Sequence, residues 1–282
     1  MMNDSRLFVT DLDGTLLNRE SRVSHESAAI ISDLTRKGAL ITCATARTPA
    51  TVDLLLRDVV TSPPAIVMTG AALWDRRRRE YLDPVFFADD VARRVVGECA
   101  ALQITPLIYT LGVDGIVHCY FHGRPNRKEQ KFIDERSHLP LKRIHVIELP
   151  AVEISPVYPR TILIFALGPL DKTNALADAL RRGGGVAVSA YPDIFNHNLG
   201  YIEVFAEGVD KAAAVVRVKE MTGAKHLTVF GDNLNDIPMM AVADLAVAVD
   251  NALPQVKEAA DLVIGPNTDD SVARFIRAEL SR

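Results

Sequence analysis

Asp11 and Asp13 stand one residue apart at the end of an apolar run, in the stretch VTDLDGTLLN over residues 9–18. Like charges that close repel unless a cation or a proton lies between them. Polar residues recur wherever a predicted strand ends. Thr45 and Arg47 follow ALITCAT, Thr69 and Gly70 close AIVMTG, and Asp232, Asn235 and Asp236 follow HLTVF. Lys211 opens a helix after EVFAEGVD. The set contains acids, hydroxyls and one lysine, without a His/Ser pair or a GxGxxG, and it suits a divalent cation and a phosphate. Hard cations such as Mg²⁺ take carboxylate and carbonyl oxygens and retain several waters. Asp11 and Asp232, with Asp236 through water, would supply such a site and relieve the repulsion. Phosphoryl transfer is mostly positioning and charge stabilisation. Asp11 can then serve as a covalent nucleophile. Asp13 projects to the same side of an extended segment and can move the proton. Gly14 lets the chain turn away without a side chain blocking the phosphate.

The elements that must position these residues alternate in type. RLFVT (6–10) reads as a buried strand. SHESAAIISDLTRKG (24–38) reads as a helix with a Ser cap and a closing Gly38, carrying Ala28, Ile31 and Leu34 at helical spacing. ALITCAT (39–45), the helix PATVDLLLRDV (49–59) and AIVMTG (65–70) continue the alternation. Strand, helix, strand, helix, strand predicts a parallel sheet with right-handed crossovers. The C-terminal part repeats the pattern, with helices over 210–223, 233–243, 253–260 and 269–280 and strands over 226–232, 244–250 and 261–265. In an open parallel sheet, sites form outside the carboxyl ends of the strands. The middle, about 84 to 190, carries more prolines and histidines and short alternating strands such as GIVHCYFH (115–122), and reads as an α+β insertion.

The 282 residues exceed the size at which single cores tend to split. The expected division is a core domain of 1–83 and 191–282 with an inserted domain of 84–190. A net charge of −4 gives no sign of a nucleic-acid or acidic-membrane partner. Charges interrupt every apolar run before the roughly 20 residues a membrane span needs. Cys43, Cys99 and Cys119 are scattered, odd in number and without metal spacing; buried, reduced thiols in a cytoplasmic protein are the expectation.

These motifs together resemble the haloacid dehalogenase superfamily, specifically the Cof-type phosphatases with a cap between the second and third motifs. DLDGT matches motif one, with Asp11 as nucleophile and Asp13 as acid/base. ATAR matches motif two, with Thr45 as the phosphate-binding hydroxyl. EGVDK matches motif three, with Lys211 as the charge-balancing lysine, and GDNLND matches motif four, which implies Mg²⁺ binding by Asp232 and Asp236. VAVDNA resembles a later turn of the family and makes Asn251 a phosphate or substrate candidate. By the same resemblance the Asp13 carbonyl is a further metal ligand. Arg47, Gly70 and Asn235 join Thr45 and Asn251 as phosphate-binding candidates. The resemblance implies a doubly wound α/β core with an α+β cap and Mg²⁺-dependent hydrolysis of small phosphorylated metabolites, sugar phosphates first, by a monomer or homodimer. The rivals are a phosphotransferase or phosphomutase on the same scaffold and a non-catalytic phosphate-binding module; the intact Asp13 argues against the latter. Ala46, Thr69 and Ser271 depart from the family pattern, which has Gly, Asn and Gly at or near them.

Three features have plainer readings. RRRR (76–79) lies between the short strands ALW and EYL and reads as an exposed hairpin loop. His118 and His122 share a strand face without an evident third metal ligand. Trp74 reads as packing.

Overall fold

The computed structural model describes residues 6–147, 158–193 and 196–281. Along the chain come β1 (Arg6–Thr10), α1 (His25–Arg36), β2 (Leu40–Cys43), α2 (Pro49–Leu55), β3 (Ala65–Val67), β4 (Ala72–Asp75) and β5 (Glu80–Leu82). The middle carries α3 (Asp89–Ala101), β6 (Leu107–Leu111), β7 (Val117–His122), α4 (Arg127–Ser137), β8 (Lys142–Ile147), β9 (Thr161–Pro169), α5 (Leu170–Gly183), β10 (Val186–Pro192) and β11 (Leu199–Ala206). The chain closes with α6 (Lys211–Thr222), β12 (His226–Gly231), α7 (Ile237–Ala241), β13 (Leu245–Val249), α8 (Pro254–Ala259), β14 (Leu262–Ile264) and α9 (Ser271–Leu280). Two compact units result: one from the segments up to Asp83 and from Asp210 onward, the other from Pro84–Val209.

The first unit is built on a parallel five-stranded sheet in the order β14-β13-β12-β1-β2. β1 occupies an interior position, and its Leu7, Phe8 and Val9 are fully buried. A strand covered on both faces reads as a continuous apolar run, as this one does. From β1 the chain builds one way to β2, and β12, β13 and β14 extend the other way. The reversal falls between β1 and β12, where Thr10 pairs with Phe230. Binding crevices of open sheets lie at such a switch point. α1 starts at Ser24, whose hydroxyl accepts from the Ser27 amide, and α6 starts at Asp210, whose carboxylate accepts from the Ala213 amide. α6 ends at Gly223, in the left-handed conformation with φ 67°.

Two expectations need correction here. AIVMTG was expected as a third strand of the parallel sheet. Instead β3 has one parallel bridge to it, between Ala44 and Ile66, and its ladder runs antiparallel to β4 in a separate sheet with β5. The cause is the reversal at Met68–Gly70, which folds β4 straight back. The second concerns the boundary at 190/191. β11 pairs antiparallel with both β9 and β10, so the chain leaves the second unit at 209/210.

Arg76–Arg79 form the loop of the β4–β5 hairpin, where the Asp75 carboxylate accepts from the amides of Arg77 (2.9 Å) and Arg78 (3.0 Å). Trp74 is fully buried, with its indole donating to Asp53 at 3.0 Å. No helix among the described residues is long and apolar enough to cross a membrane. The three cysteines are buried, and burial pushes each thiol up to about 12.

The second unit is α+β. Its six-stranded sheet runs β10-β11-β9-β6-β7-β8, antiparallel except for the β7–β8 pair. α4 packs on β8 and α5 on β9, β10 and β11. His118, Tyr120 and His122 alternate along β7 on one face, and the parallel register sets His145 of β8 beside Tyr120. With Tyr158 they form a column of rings. Centroid spacings are 5.3 Å for His118–His145, 4.9 Å for His145–Tyr120, 3.8 Å for Tyr120–Tyr158 and 5.9 Å for Tyr158–His122. Hydrogen bonds close both ends, His118 Nδ1 to His145 Nε2 (3.0 Å) and His122 Nε2 to Tyr158 OH (2.9 Å).

Candidate active site

Asp11 leaves the end of β1 with its amide bonded to the Phe230 carbonyl at 2.9 Å, so the ends of β1 and β12 are tied together. The chain then turns sharply through Leu12–Leu16, with Gly14 at φ 80°. A Cβ on Gly14 would lie 2.3 Å from Asp232 Oδ2. The glycine therefore makes room for the Asp232 carboxylate as well as the turn. Thr15 donates to the other oxygen of Asp232 at 2.8 Å.

Lys211, the first residue of α6, is fully buried and donates to Asp11 Oδ1 at 2.6 Å and Asp236 Oδ1 at 2.7 Å. The second oxygen of Asp236 accepts the amides of Asp232 (2.9 Å) and Asn233 (3.1 Å). Asp236 thus shapes the β12 loop with both oxygens already engaged. Gly231 is required by the same residue, since a Cβ there would lie 2.6 Å from Asp236 Cβ.

One carboxylate oxygen from each of Asp11, Asp232 and Asp236 lies within 4.8 Å of the others. Three acids face one ammonium, and the electrostatics reflect this. Burial drives the Asp11 carboxyl well above the usual carboxylate range; Lys211 opposes the shift while Asp236 and Asp232 add to it. Asp232 is raised to about 6 by burial, with Asp236 and Asp13 adding to the shift against the Thr15 hydrogen bond. For Lys211 burial acts downward, but attraction to Asp11 and Asp236 outweighs it, and the ammonium is held charged. A hard divalent cation fits this donor set, because it supplies the positive charge that one lysine leaves short.

Asp13 lies half-exposed outside this cluster. Both of its oxygens are taken by Arg47, at 2.6 Å from Nε and 2.7 Å from Nη2. Such two-point guanidinium–carboxylate pairing fixes orientation as well as charge. Thr45 is buried, and its hydroxyl accepts the Arg47 amide at 3.2 Å. Asn235 is exposed on the turn before α7. Asn251, a phosphate or substrate candidate by its resemblance, has both polar atoms of its side-chain amide bonded within the chain. Its Nδ2 donates to the Gly14 carbonyl at 2.7 Å and its Oδ1 accepts the Asn267 amide at 2.9 Å. Asn267 in turn donates to the Leu17 carbonyl at 2.7 Å. This pair of asparagines pins the Leu12–Leu16 turn from behind, and nothing in the local sequence around Asn267 signals it.

Gly70, also a phosphate candidate, is buried, and a Cβ there would lie 2.3 Å from the Asp210 carbonyl oxygen. Its smallness serves the approach of α6. It ends a run of three positive φ angles, Met68 at 48°, Thr69 at 56° and Gly70 at 99°. Each non-glycine residue in that region costs about 1–2 kcal/mol. Ser271 does not line the cluster; its hydroxyl donates to the Pro266 carbonyl at 2.8 Å.

Comparison with known proteins agrees with this geometry. A sequence model of the haloacid dehalogenase-like hydrolases matches residues 8–276. A 5-amino-6-(5-phospho-D-ribitylamino)uracil phosphatase of Bacillus subtilis is 27% identical, across 97% of this chain and 95% of its own. A pyridoxal phosphate phosphatase of Escherichia coli is 24% identical, across 98% of this chain and 99% of its own. Among solved structures, a subclass IIB sugar phosphatase of the superfamily superposes with a TM-score of 0.72 at 19% identity, over 97% of this chain and 98% of its own. With the parallel sheet and its acid–lysine cluster, these matches establish that the chain belongs to the haloacid dehalogenase-like hydrolases, among the Cof-type phosphatases.

Proposed function

We propose that the first unit performs Mg²⁺-dependent hydrolysis of small phosphomonoesters through an aspartyl-phosphate on Asp11. The observation that carries this reading is the bridge of Lys211 between Asp11 and Asp236, with Asp232 completing the acidic cluster. Mg²⁺ would be held by Asp11 and Asp232, with the Asp13 carbonyl, and backed by the charge of Asp236. When bound it neutralises charge on the phosphoryl oxygens and offsets the repulsion among the acids.

Asp11 attacks phosphorus while the bond to the leaving oxygen breaks, and Asp13, with one oxygen released from Arg47, delivers its proton to that oxygen. Asp13 then takes a proton from a water that attacks the same phosphorus, which frees Asp11 and inorganic phosphate. Lys211 fixes the attacking oxygen of Asp11 and balances its charge. The Thr45 hydroxyl donates to the phosphoryl group, and Arg47 orients Asp13. The asparagine pair Asn251 and Asn267 holds the nucleophile turn.

Substrate choice is assigned to the second unit, and sugar phosphates are the first class to try. Pyridoxal phosphate and the ribitylaminouracil phosphate join the panel because two relatives are named for them. The test is phosphate release with Mg²⁺ from this panel, nucleotides and flavin mononucleotide, beside an Asp11→Asn variant. Release that disappears in the variant supports the hydrolase. Absence of release from every compound, while phosphate and Mg²⁺ still bind, contradicts it.

A further inference from the structure

We infer that the left-handed turn Met68–Thr69–Gly70 is a clamp that sets the position of the phosphate-binding segment Thr45–Arg47, with Thr69 as its positioning residue. The inference rests on the phosphatase reading above. Left-handed residues normally occur singly, and a β-branched side chain is among the least suited to that conformation. Thr69 nevertheless follows Met68 in it, and its hydroxyl is buried without a hydrogen-bond partner. A residue that carries two penalties persists only where its surroundings over-determine it.

Those surroundings are the segments of the candidate active site. The Thr69 amide donates to the Thr45 carbonyl at 3.0 Å, and the Met68 amide donates to the Arg47 carbonyl at 3.0 Å. Both residues that reach toward the chemistry from this segment are therefore pinned through their backbones. On the other side, Gly70 meets the start of α6, where an added Cβ would lie 2.3 Å from the Asp210 oxygen and 3.0 Å from Ala214 Cβ. Lys211 lies between those two contacts in sequence. One turn thus relates the hydroxyl of Thr45 and the guanidinium of Arg47 to the ammonium of Lys211. Straightening it would loosen Thr45 and Arg47 and change the approach of α6, without removing any catalytic side chain.

The clamp acts through an N–H at position 69 and a backbone held at positive φ. The Thr69 hydroxyl has no part in it. Thr69→Pro removes the N–H and sets φ near −65°, whereas Thr69→Asn keeps the N–H and tolerates the left-handed region. The experiment compares steady-state kinetics, melting temperature and hydrogen exchange of the peptide covering 44–48 in both variants. The clamp predicts that Thr69→Pro loses about 100-fold in kcat with KM changed less than about threefold, the signature of lost positioning. Exchange in 44–48 rises in the same variant. Thr69→Asn keeps kcat within about threefold and melts higher, because strain is relieved. If the proline variant does not fold, Gly70→Ala applies the test from the α6 side and predicts the same kcat loss. Retention of kcat in a folded Thr69→Pro or Gly70→Ala protein overturns the clamp, as does a tenfold loss in Thr69→Asn, which would place the role in the hydroxyl. If the parent protein releases no phosphate, the phosphatase reading fails, and the exchange measurement still decides whether the turn holds 44–48.

Discussion

The acid–lysine cluster of the first unit and the ring column of the second both gather titratable side chains, and they hold them by opposite means. At the cluster, three carboxylates are gathered around a fully buried ammonium; Lys211 takes one oxygen of Asp236 and two backbone amides take the other. In the column, three imidazoles and two phenols stand half-exposed and stack with spacings from 3.8 to 5.9 Å. Charge buried among like charge is expensive unless every partner is in place. A stacked ring pair is worth only about 0.5–1.5 kcal/mol beyond the area it buries. The first region is thus built for chemistry at the expense of local stability. The second serves mainly as packing on one sheet face.

The largest effect is expected where one cation serves two acids. Lys211→Met should cost about 3–5 kcal/mol in urea unfolding, because it leaves buried carboxylates unpaired, and phosphate release should vanish with it. A variant as stable as the parent would mean that the acids are already protonated. Asp13→Asn is expected to lower turnover by about 10²–10⁴-fold, the usual range for a general acid–base. Its melting temperature should move little, since the Arg47 pair is partly exposed. Unchanged turnover would remove Asp13 from the proton-transfer role.

The two regions should also respond to pH with opposite sign. The Asp232 carboxyl lies near 6 when folded and near 3.8 ordinarily. Between these values the folded state holds a proton that the unfolded chain releases. The first unit should therefore lose stability as pH rises from about 4 to 6 in chelator. Added Mg²⁺ should restore it, with a larger rise in melting temperature at pH 7.5 than at pH 5. His122 and His145 shift the other way, both lowered by burial, with His118 adding to the shift at His145. There the unfolded chain binds the extra proton, so the second unit should weaken as pH falls through 6.5. Hydrogen exchange read separately for the two units at pH 5 and 7.5 checks both signs. A common direction in both units would contradict the contrast.

The smallest change is expected in the column. Tyr158→Leu should lower stability by about 1 kcal/mol through the lost stacking on Tyr120, measured by denaturation of the full chain. A loss several times larger would make the column a structural core of its unit.

How much of this was legible in the sequence differs between the same two regions. Asp11, Asp13, Lys211 and Asp232 stood out because each follows a strand or opens a helix, and such boundaries carry local signals. The turn at Gly14 was legible too, but the room that Gly14 and Gly231 make was not, since each answers to a carboxylate brought to it by the fold, Asp232 across two hundred residues and Asp236 across the β12 turn. The partners of Asn251 within the chain, Gly14 and Asn267, were hidden because both contacts are tertiary. His118 and His122 were visible as one face of a strand. His145 was not, because a parallel β7–β8 pairing cannot be deduced from alternation along either strand. The boundary at 190 failed for a related reason: β11 (LGYIEVFA) is mostly apolar, which alone does not say which sheet it joins.

The most direct test of the account is acid-quenched mass spectrometry of the protein during turnover with Mg²⁺. The account predicts one phosphoryl group on the peptide containing Asp11, absent from Asp11→Asn and accumulating when Asp13→Asn slows its hydrolysis. Turnover that persists in Asp11→Asn, or a phosphoryl group on any other residue, would contradict it.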